Sequence, residues 1–196
     1  LPAAMIGGAV LSLILALPAL RVRGEYFVAA SLGLQVLAVT IFSEWKSVTG
    51  GIGGLIGIPP LDIAGFEVFK PNQFVFVTVV ALIIVLFIIN RLVHSSFGRS
   101  LRAIRDSESA AAAFGKNVPL IKTISVVISS ALTAVAGVMY ASYLSFINVE
   151  SFTLDTSVLI MAMVIIGGTG TQAGPIIGAA LLLLLPSLIS YLDFLP

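Results

Sequence analysis

Long apolar segments constrain the fold of this chain more than any other feature of its sequence. A helix needs about 20 apolar residues to cross a bilayer core about 30 Å thick. Five segments meet or nearly meet that length, and a sixth is apolar but shorter: 2–20, 26–43, 73–93, 122–143, 175–192 and 154–167. We therefore predict an all-α, polytopic transmembrane helix bundle with about six spans, forming a single membrane domain over residues 1–196.

The composition and the pattern of apolar residues both favour helices in lipid. Charged residues make up 10% of the chain, whereas soluble domains carry about 25%. A membrane barrel would require strands in which apolar and polar residues alternate. Residues 79–89 are apolar without interruption, so we expect a helix there rather than a strand.

The short sixth segment ends in a glycine-rich stretch. At 1.5 Å per residue, a helix over 154–167 reaches only about 21 Å. The residues that follow cannot continue a regular helix, because glycine recurs among them: Gly167, Gly168, Gly170 and Gly174. We predict a broken helix here, whose irregular backbone is covered by protein or lines a cavity.

Basic residues are distributed unevenly between the two sides of the predicted bundle. Eight of the ten lie in or beside two connections on one side: Arg21, Arg23, Arg91, Arg99, Arg102, Arg105, Lys116 and Lys122. The positive-inside rule assigns that side to the cytoplasm. The glycine-rich stretch 49–60 then lies outside, where we expect it to shape the mouth of a pathway or to meet an external partner.

Residues for catalysis, metal binding or nucleotide binding are not apparent. The chain has no Cys, and His94 is its single His, so no metal or cofactor is expected. Gly115-Lys116-Asn117 lacks the Ser or Thr that follows the lysine of a phosphate-binding loop. We therefore predict a non-catalytic protein, with any ATP hydrolysis carried out by a partner.

Polar residues within the predicted spans are few and uncharged, which argues against an ion-coupled carrier. Gln35 is the most central strongly polar side chain; a hydrogen bond between helices is its favoured role, and a place on a substrate path is the alternative. Ser129 and Thr133 belong to a series of small residues at every fourth position, for which close helix packing is favoured. These three residues are our candidates for a translocation path.

The polar segment 97–115 has the pattern of an amphipathic helix. Five residues spaced by three or four positions share one face: Phe97, Leu101, Ile104, Glu108 and Ala111. Gly115 is placed to end the helix, and Pro119 is expected to prevent its continuation. The helix could rest on anionic headgroups or dock a soluble partner, and the residues alone leave both interpretations open.

Several short motifs, in order along the chain, resemble the permease subunits of branched-chain amino-acid ABC importers, and the LivM-type branch in particular. They are Arg23-Gly24-Glu25-Tyr26-Phe27, Trp45, Thr49-Gly50-Gly51, Gly57-Ile58-Pro59, Gly98-Arg99, Arg102-Ala103-Ile104-Arg105, Glu108, Ala110-Ala111, Gly115, Gly167-Gly168-Thr169-Gly170, Gly174-Pro175 and Gly178-Ala179. Each motif is weak alone; their order and the predicted topology make the set specific. One departure is Ala112, where the family often has a glutamate.

The resemblance implies a cytoplasmic coupling helix at 97–115 that docks on an ATP-binding cassette ATPase. The residues it assigns to that contact are Arg99, Arg102, Arg105, Glu108, Ala111 and Gly115. It also implies a second, homologous permease subunit, a periplasmic solute-binding protein that delivers leucine, isoleucine or valine, and a multi-pass location in a bacterial or archaeal inner membrane. The chain is expected to be a fragment that lacks N-terminal helices and the C-terminus.

Three alternatives remain open at this point. A permease for urea or short-chain amides would look alike in sequence. An ion-coupled secondary transporter with broken helices, or a membrane scaffold without transport activity, would belong to a different class.

Overall fold

A computed structural model describes residues 2–20, 25–63, 66–67 and 71–192 of the chain. The fold is mostly helical, with 84% of the described residues in helices. Arg21, Arg23, Gly24 and Lys70, which contributed to the charge pattern or to the family motifs, lie outside the described residues. Two compact units are present, residues 1–148 and 149–196.

The first unit contains seven helices and four short strands in its described part. The helices are α1 (Pro2–Leu20), α2 (Glu25–Glu44), α3 (Lys46–Thr49), α4 (Pro71–His94), α5 (Ser96–Asp106), α6 (Glu108–Ala113) and α7 (Val118–Leu144). The strands are β1 (Leu55–Ile56), β2 (Asp62–Ile63), β3 (Phe66–Glu67) and β4 (Phe146–Ile147). The second unit contains α8 (Leu154–Gly167) and α9 (Ala173–Leu192), preceded by a 3₁₀ turn at Val149–Phe152.

The six predicted apolar segments are all helical. By length and composition, Pro71–His94, Val118–Leu144 and Val149–Gly167 are able to cross a membrane. In α4, whose 24 residues are all described, no side chain is buried, and Phe76 and Phe87 are 70% and 64% exposed. Such exposure of large apolar side chains is expected of a helix that is solvated by lipid.

Helix α7 starts four residues earlier than predicted, and this gives Pro119 a second role. The side chain of Asn117 caps the helix by accepting a hydrogen bond from the Leu120 N–H at 3.2 Å. Pro119 lies in the first turn, where its missing N–H has no partner to lose. It therefore opens α7 rather than merely closing the preceding segment.

The predicted single helix over 97–115 is two helices. Ser107 adopts an extended conformation, with φ −159° and ψ 111°, between α5 and α6. Its hydroxyl accepts a hydrogen bond from the Ala110 N–H at 3.3 Å, so it acts as the N-cap of α6. The prediction was wrong about continuity because periodicity does not register a serine that leaves the helix to cap the next one.

The break predicted after 154–167 is a reversal of the chain. Helices α8 and α9 lie side by side and antiparallel, and a Cβ built at Gly178 would collide with the carbonyl oxygen of Met163. Gly167 and Gly174 approach each other just as closely at the turn. These glycines therefore allow two helices to pack backbone against backbone, which differs from a single helix interrupted midway.

The glycine-rich outer stretch is tied to the end of α7. Strand β1 pairs antiparallel with β4, and the N–H groups of Gly57 and Ile58 both donate to the Ser145 carbonyl oxygen, at 3.1 and 3.2 Å. At the same end of the bundle, the rings of Phe74 in α4 and Tyr143 in α7 lie 5.0 Å apart between centroids. The outer ends of α4 and α7 are thus in direct contact.

Candidate functional site

The connection between α4 and α7, formed by α5 and α6, is a polar segment held by several hydrogen bonds, and it lies on the side that the charge pattern predicts to be cytoplasmic. It begins at a tight turn in which Ser95 caps α5 and accepts a hydrogen bond from the Gly98 N–H at 3.4 Å. A Cβ built at Gly98 would collide with the Val93 carbonyl oxygen. Only glycine fits this turn without movement of the backbone, which explains the Gly98-Arg99 pair noted in the sequence.

Two arginines of α5 fold back onto the end of α4. Arg99 Nη1 donates to the His94 carbonyl oxygen at 3.3 Å, and Arg102 Nη2 donates to the Val93 carbonyl oxygen at 3.2 Å. The last carbonyls of a helix lack partners within the helix and carry partial negative charge, so guanidinium groups bind there favourably. Arg99 and Arg102 therefore cap α4 from the following helix.

A small apolar cluster holds α5, α6 and the start of α7 together. Ile104, Ala111 and Val118 are 7%, 4% and 5% exposed, and Ile121 packs against them. Ala111 was expected at the contact with an ATPase, yet its methyl group lies inside this cluster. Its burial makes it a packing residue of the segment, and its coupling role stays a prediction.

An ion pair links α6 to α7. Lys122 Nζ lies 2.7 Å from Glu108 Oε2, and their side chains are 37% and 49% exposed. The predicted coupling residue Glu108 therefore has a partner within the chain, Lys122, which lies fourteen positions further along the sequence. Sequence periodicity placed Glu108 on a face with apolar residues but gave no indication of this partner.

Gly115 ends α6, as its position in the sequence predicted. It has a positive φ of 76°, which glycine adopts at little cost. Its N–H donates to the Ala112 carbonyl oxygen at 2.9 Å, and the Lys116 N–H donates to that of Ala111 at 3.1 Å. This arrangement satisfies the carbonyls that the end of α6 would otherwise leave unpaired.

The exposed surface of the segment includes Ala110 of the family motifs together with residues that those motifs did not contain. Phe114 is 85% exposed, and Ala110, Ala112 and Ala113 beside it are also exposed. Arg105 is exposed too, with its Nε 3.5 Å from Asp106 Oδ1. We call Ala110, Ala112, Ala113 and Phe114 the alanine–phenylalanine surface; an aromatic residue just before a helix-ending glycine was the sequence signal for it.

A second candidate region lies along α7. Ser125, Val126, Ser129, Ser130 and Thr133 line a groove of about 350 Å³, which we call the hydroxyl groove. It contains two of the three predicted path residues, Ser129 and Thr133. Gln35 is on α2 and is not among the residues that line it.

The described residues contain no group of His, Cys, Asp or Glu that could hold a metal ion. Four hydroxyl groups and one apolar side chain line the hydroxyl groove, and charges of both signs surround the α5–α6 segment. These arrangements are suited to binding and to mechanical contact.

The family model for the branched-chain amino acid transport system / permease component matches residues 1–194. The chain belongs to this family. The resemblance noted from the motifs is thereby confirmed, including its LivM-type branch, because the permease is similar to LivM proteins over most of its length. Membership also confirms that the chain is of the permease class rather than an enzyme.

The similarity to individual relatives is moderate and partial. The "high-affinity branched-chain amino acid transport system permease protein LivM" of Salmonella typhimurium and that of Escherichia coli are each 31% identical to this permease. Each match covers 93% of the chain and 48% of the relative. A "probable branched-chain amino acid transport permease protein LivM" of Methanocaldococcus jannaschii is 32% identical over 89% of the chain and 51% of the relative.

The permease thus spans about half the length of the curated relatives that it matches. No solved structure matches it significantly.

Proposed function

We propose that this chain is part of a membrane-spanning permease subunit of an ATP-driven importer of leucine, isoleucine and valine. A periplasmic solute-binding protein delivers the amino acid, and a second, homologous permease subunit completes the pathway. Family membership and the relatives' printed names support the substrate class. The asymmetric distribution of basic residues supports about six spans in a bacterial or archaeal inner membrane.

The ATPase of this importer docks on the α5–α6 segment, which is the coupling segment within the membrane domain. The observation that carries this proposal is the division of the segment into two sides. On the side that faces α7, Ile104 and Ala111 are buried against Val118. On the other side lies the alanine–phenylalanine surface, where Phe114 is 85% exposed. Aromatic residues placed among small side chains are typical anchors of protein interfaces, because they fill a pocket while the surrounding surfaces approach closely.

The hydroxyl groove forms part of the translocation path. Its serine hydroxyls can donate to a carboxylate and accept from an ammonium group, which are the two charged ends of an amino acid. The Thr133 hydroxyl already donates to the Ser129 carbonyl oxygen at 2.9 Å and is available as an acceptor. Val126 gives the same groove an apolar contact. Gln35 stays a separate candidate on α2, with helix–helix contact as its alternative role.

The docking proposal is tested by replacing Phe114 with serine in the assembled importer. Since Phe114 is almost fully exposed, the substitution leaves the permease folded and removes only the anchor. We expect copurification of the ATPase to fall by about tenfold or more, as for an anchor worth about 2 kcal/mol. Leu120→Ser is the matched control, because Leu120 is an exposed apolar residue, 55% exposed, that lies in the first turn of α7 six positions after Phe114.

Normal copurification of the ATPase with Phe114→Ser would overturn the proposed docking surface. Equal loss with Leu120→Ser would show that the effect is not specific to the alanine–phenylalanine surface.

Uptake of labelled leucine by vesicles that contain the importer, compared with uptake of labelled urea and acetamide by the same vesicles, tests the substrate class. Preferential uptake of urea or acetamide would favour the alternative permease.

A further inference from the structure

The contacts around α5 and α6 suggest a route by which motion at the docking surface reaches the membrane-spanning helices. We propose that the Glu108–Lys122 ion pair is a strut that transfers displacement of α6 to α7, with Lys122 as its positioning residue. This proposal rests on the proposed docking of an ATPase at α6. It assigns to Glu108 an internal partner instead of a contact with the ATPase.

The first step of the argument is the way the segment is attached to α4. Arg99 and Arg102 bind the carbonyl oxygens of His94 and Val93, and the turn at Gly98 leaves no room for a side chain. Two charged hydrogen bonds and a tight turn make α5 an extension of α4. A displacement of α5 therefore moves the inner end of α4 as well.

The second step concerns the attachment to α7, which is of a different kind. Ala111 and Val118 contribute to a cluster of only a few side chains, and segment 114–117 between α6 and α7 is short. Apolar contacts are not directional, so this cluster resists separation better than it resists sliding. The Lys122–Glu108 pair, at 2.7 Å, adds a directional contact between the two helices.

The third step is the position of the opposite ends. Phe74 of α4 and Tyr143 of α7 are in ring contact at the outer side of the bundle. α4 and α7 are therefore joined by the α5–α6 segment at one end and by an aromatic pair at the other. A push on α6 that passes through Lys122 would swing the inner end of α7, which carries the hydroxyl groove from Ser125 onward.

The size of the ion-pair energy makes the strut testable without unfolding the protein. A pair that is partly exposed contributes little to the stability of the folded chain. Its loss leaves the buried cluster and the arginine contacts in place. Substitutions at Glu108 or Lys122 should therefore alter the transfer of motion while the permease still folds and still binds the ATPase.

The experiment uses the complete importer in vesicles and measures three quantities: ATPase copurification, ATP hydrolysis and leucine transported per ATP hydrolysed. Glu108→Lys and Lys122→Glu should each keep copurification and lower the transport ratio by about fivefold, the lower end of typical coupling between sites. The double variant with Glu108→Lys and Lys122→Glu should restore the ratio, and the conservative Lys122→Arg should leave it unchanged. The strut would be overturned by an unchanged ratio in Glu108→Lys and Lys122→Glu alone, or by an equally low ratio in the double variant.

Loss of the ATPase from both single variants would also overturn it, since the pair would then belong to the docking surface. Failure of the wild-type permease to copurify any ATPase would instead refute the proposed function. A distance measurement separates these cases. Spin labels on Ser109→Cys, an exposed position of α6 outside the alanine–phenylalanine surface, and on Ile124→Cys should give a narrow distance distribution in a chain without native cysteine. The distribution should broaden with Lys122→Glu and stay narrow with Lys122→Arg.

An unchanged distribution with Lys122→Glu would overturn the strut on structural grounds alone.

Discussion

The α5–α6 segment and the α8–α9 hairpin are both polar or irregular interruptions of an apolar chain, but they are held by different means. Side chains hold the α5–α6 segment: guanidinium groups on carbonyls, one ion pair and a small cluster around Ala111. In the hairpin, backbone meets backbone where Gly178 faces Met163. Side-chain contacts can shift and re-form, whereas a backbone contact at glycine tolerates no added atom.

The two kinds of contact suit the two regions to different structural roles. Contacts of about 1 kcal/mol, such as an exposed ion pair or a cap, are suited to the movement that the proposed coupling role requires of this segment. Close helix packing through small residues is suited to a part of the bundle that keeps its shape in lipid.

The largest effect is expected from adding a methyl group in the hairpin. Gly178→Ala brings a Cβ against the Met163 carbonyl oxygen, which forces the helices apart at a cost of about 1–3 kcal/mol or more. Gly137→Ala is the matched control, because a Cβ at this helical glycine meets nothing within 4 Å. Thermal unfolding in detergent should show a lower midpoint for Gly178→Ala and an unchanged or higher one for Gly137→Ala.

Equal midpoints for the two variants would contradict the close packing of α8 and α9.

An intermediate effect is expected inside the α5–α6 segment. Ala111→Leu places three extra carbons in a cluster where the alanine is 4% exposed, and overpacking of this kind costs about 1–3 kcal/mol. Ala112→Leu, one position along and exposed, should be close to neutral for folding. Limited proteolysis in inside-out vesicles should cleave the α5–α6 segment faster in Ala111→Leu than in Ala112→Leu. Faster cleavage of Ala112→Leu than of Ala111→Leu would argue against the burial of Ala111.

The smallest effect is expected at the arginines. Arg102→Met removes a cap from the last turn of α4, which is worth about 0.3–1 kcal/mol. Arg105→Met removes an ion pair with Asp106 in which both side chains are over 70% exposed, and such pairs often contribute almost nothing. Hydrogen exchange at the end of α4 should rise for Arg102→Met alone; a matching rise for Arg105→Met would remove the distinction between the two arginines.

Much of the fold follows from the sequence because it depends on length and hydropathy. Segment 154–167 coincides with α8, and Gly115 ends α6 as its position predicted. The place of Pro119 in the first turn of α7 was not predicted, because proline is acceptable in the first turn of a helix as well as beyond its end. Ser107 was missed for a similar reason, since serine both caps helices and occurs within them.

The candidate site was only partly accessible to sequence reasoning. Ser129 and Thr133 were chosen for their polarity and lie in one groove, whereas Gln35 is on another helix. The coupling residues were chosen through family motifs, and motifs record residue types without their partners. Periodicity placed Ala111 on one face with Ile104, and both side chains are buried in one cluster. The exposure of Phe114 was not predicted, because this residue follows the last residue of α6 and lies outside that repeat.

The sequence by itself determined that this chain forms apolar helices and which family it belongs to, because each of these properties sums over many residues. Only the tertiary structure decided that α8 and α9 reverse on glycines, that Arg102 reaches Val93 and that Lys122 reaches Glu108. Those contacts join atoms far apart in sequence, and a difference of one ångström or one helix face decides whether they form.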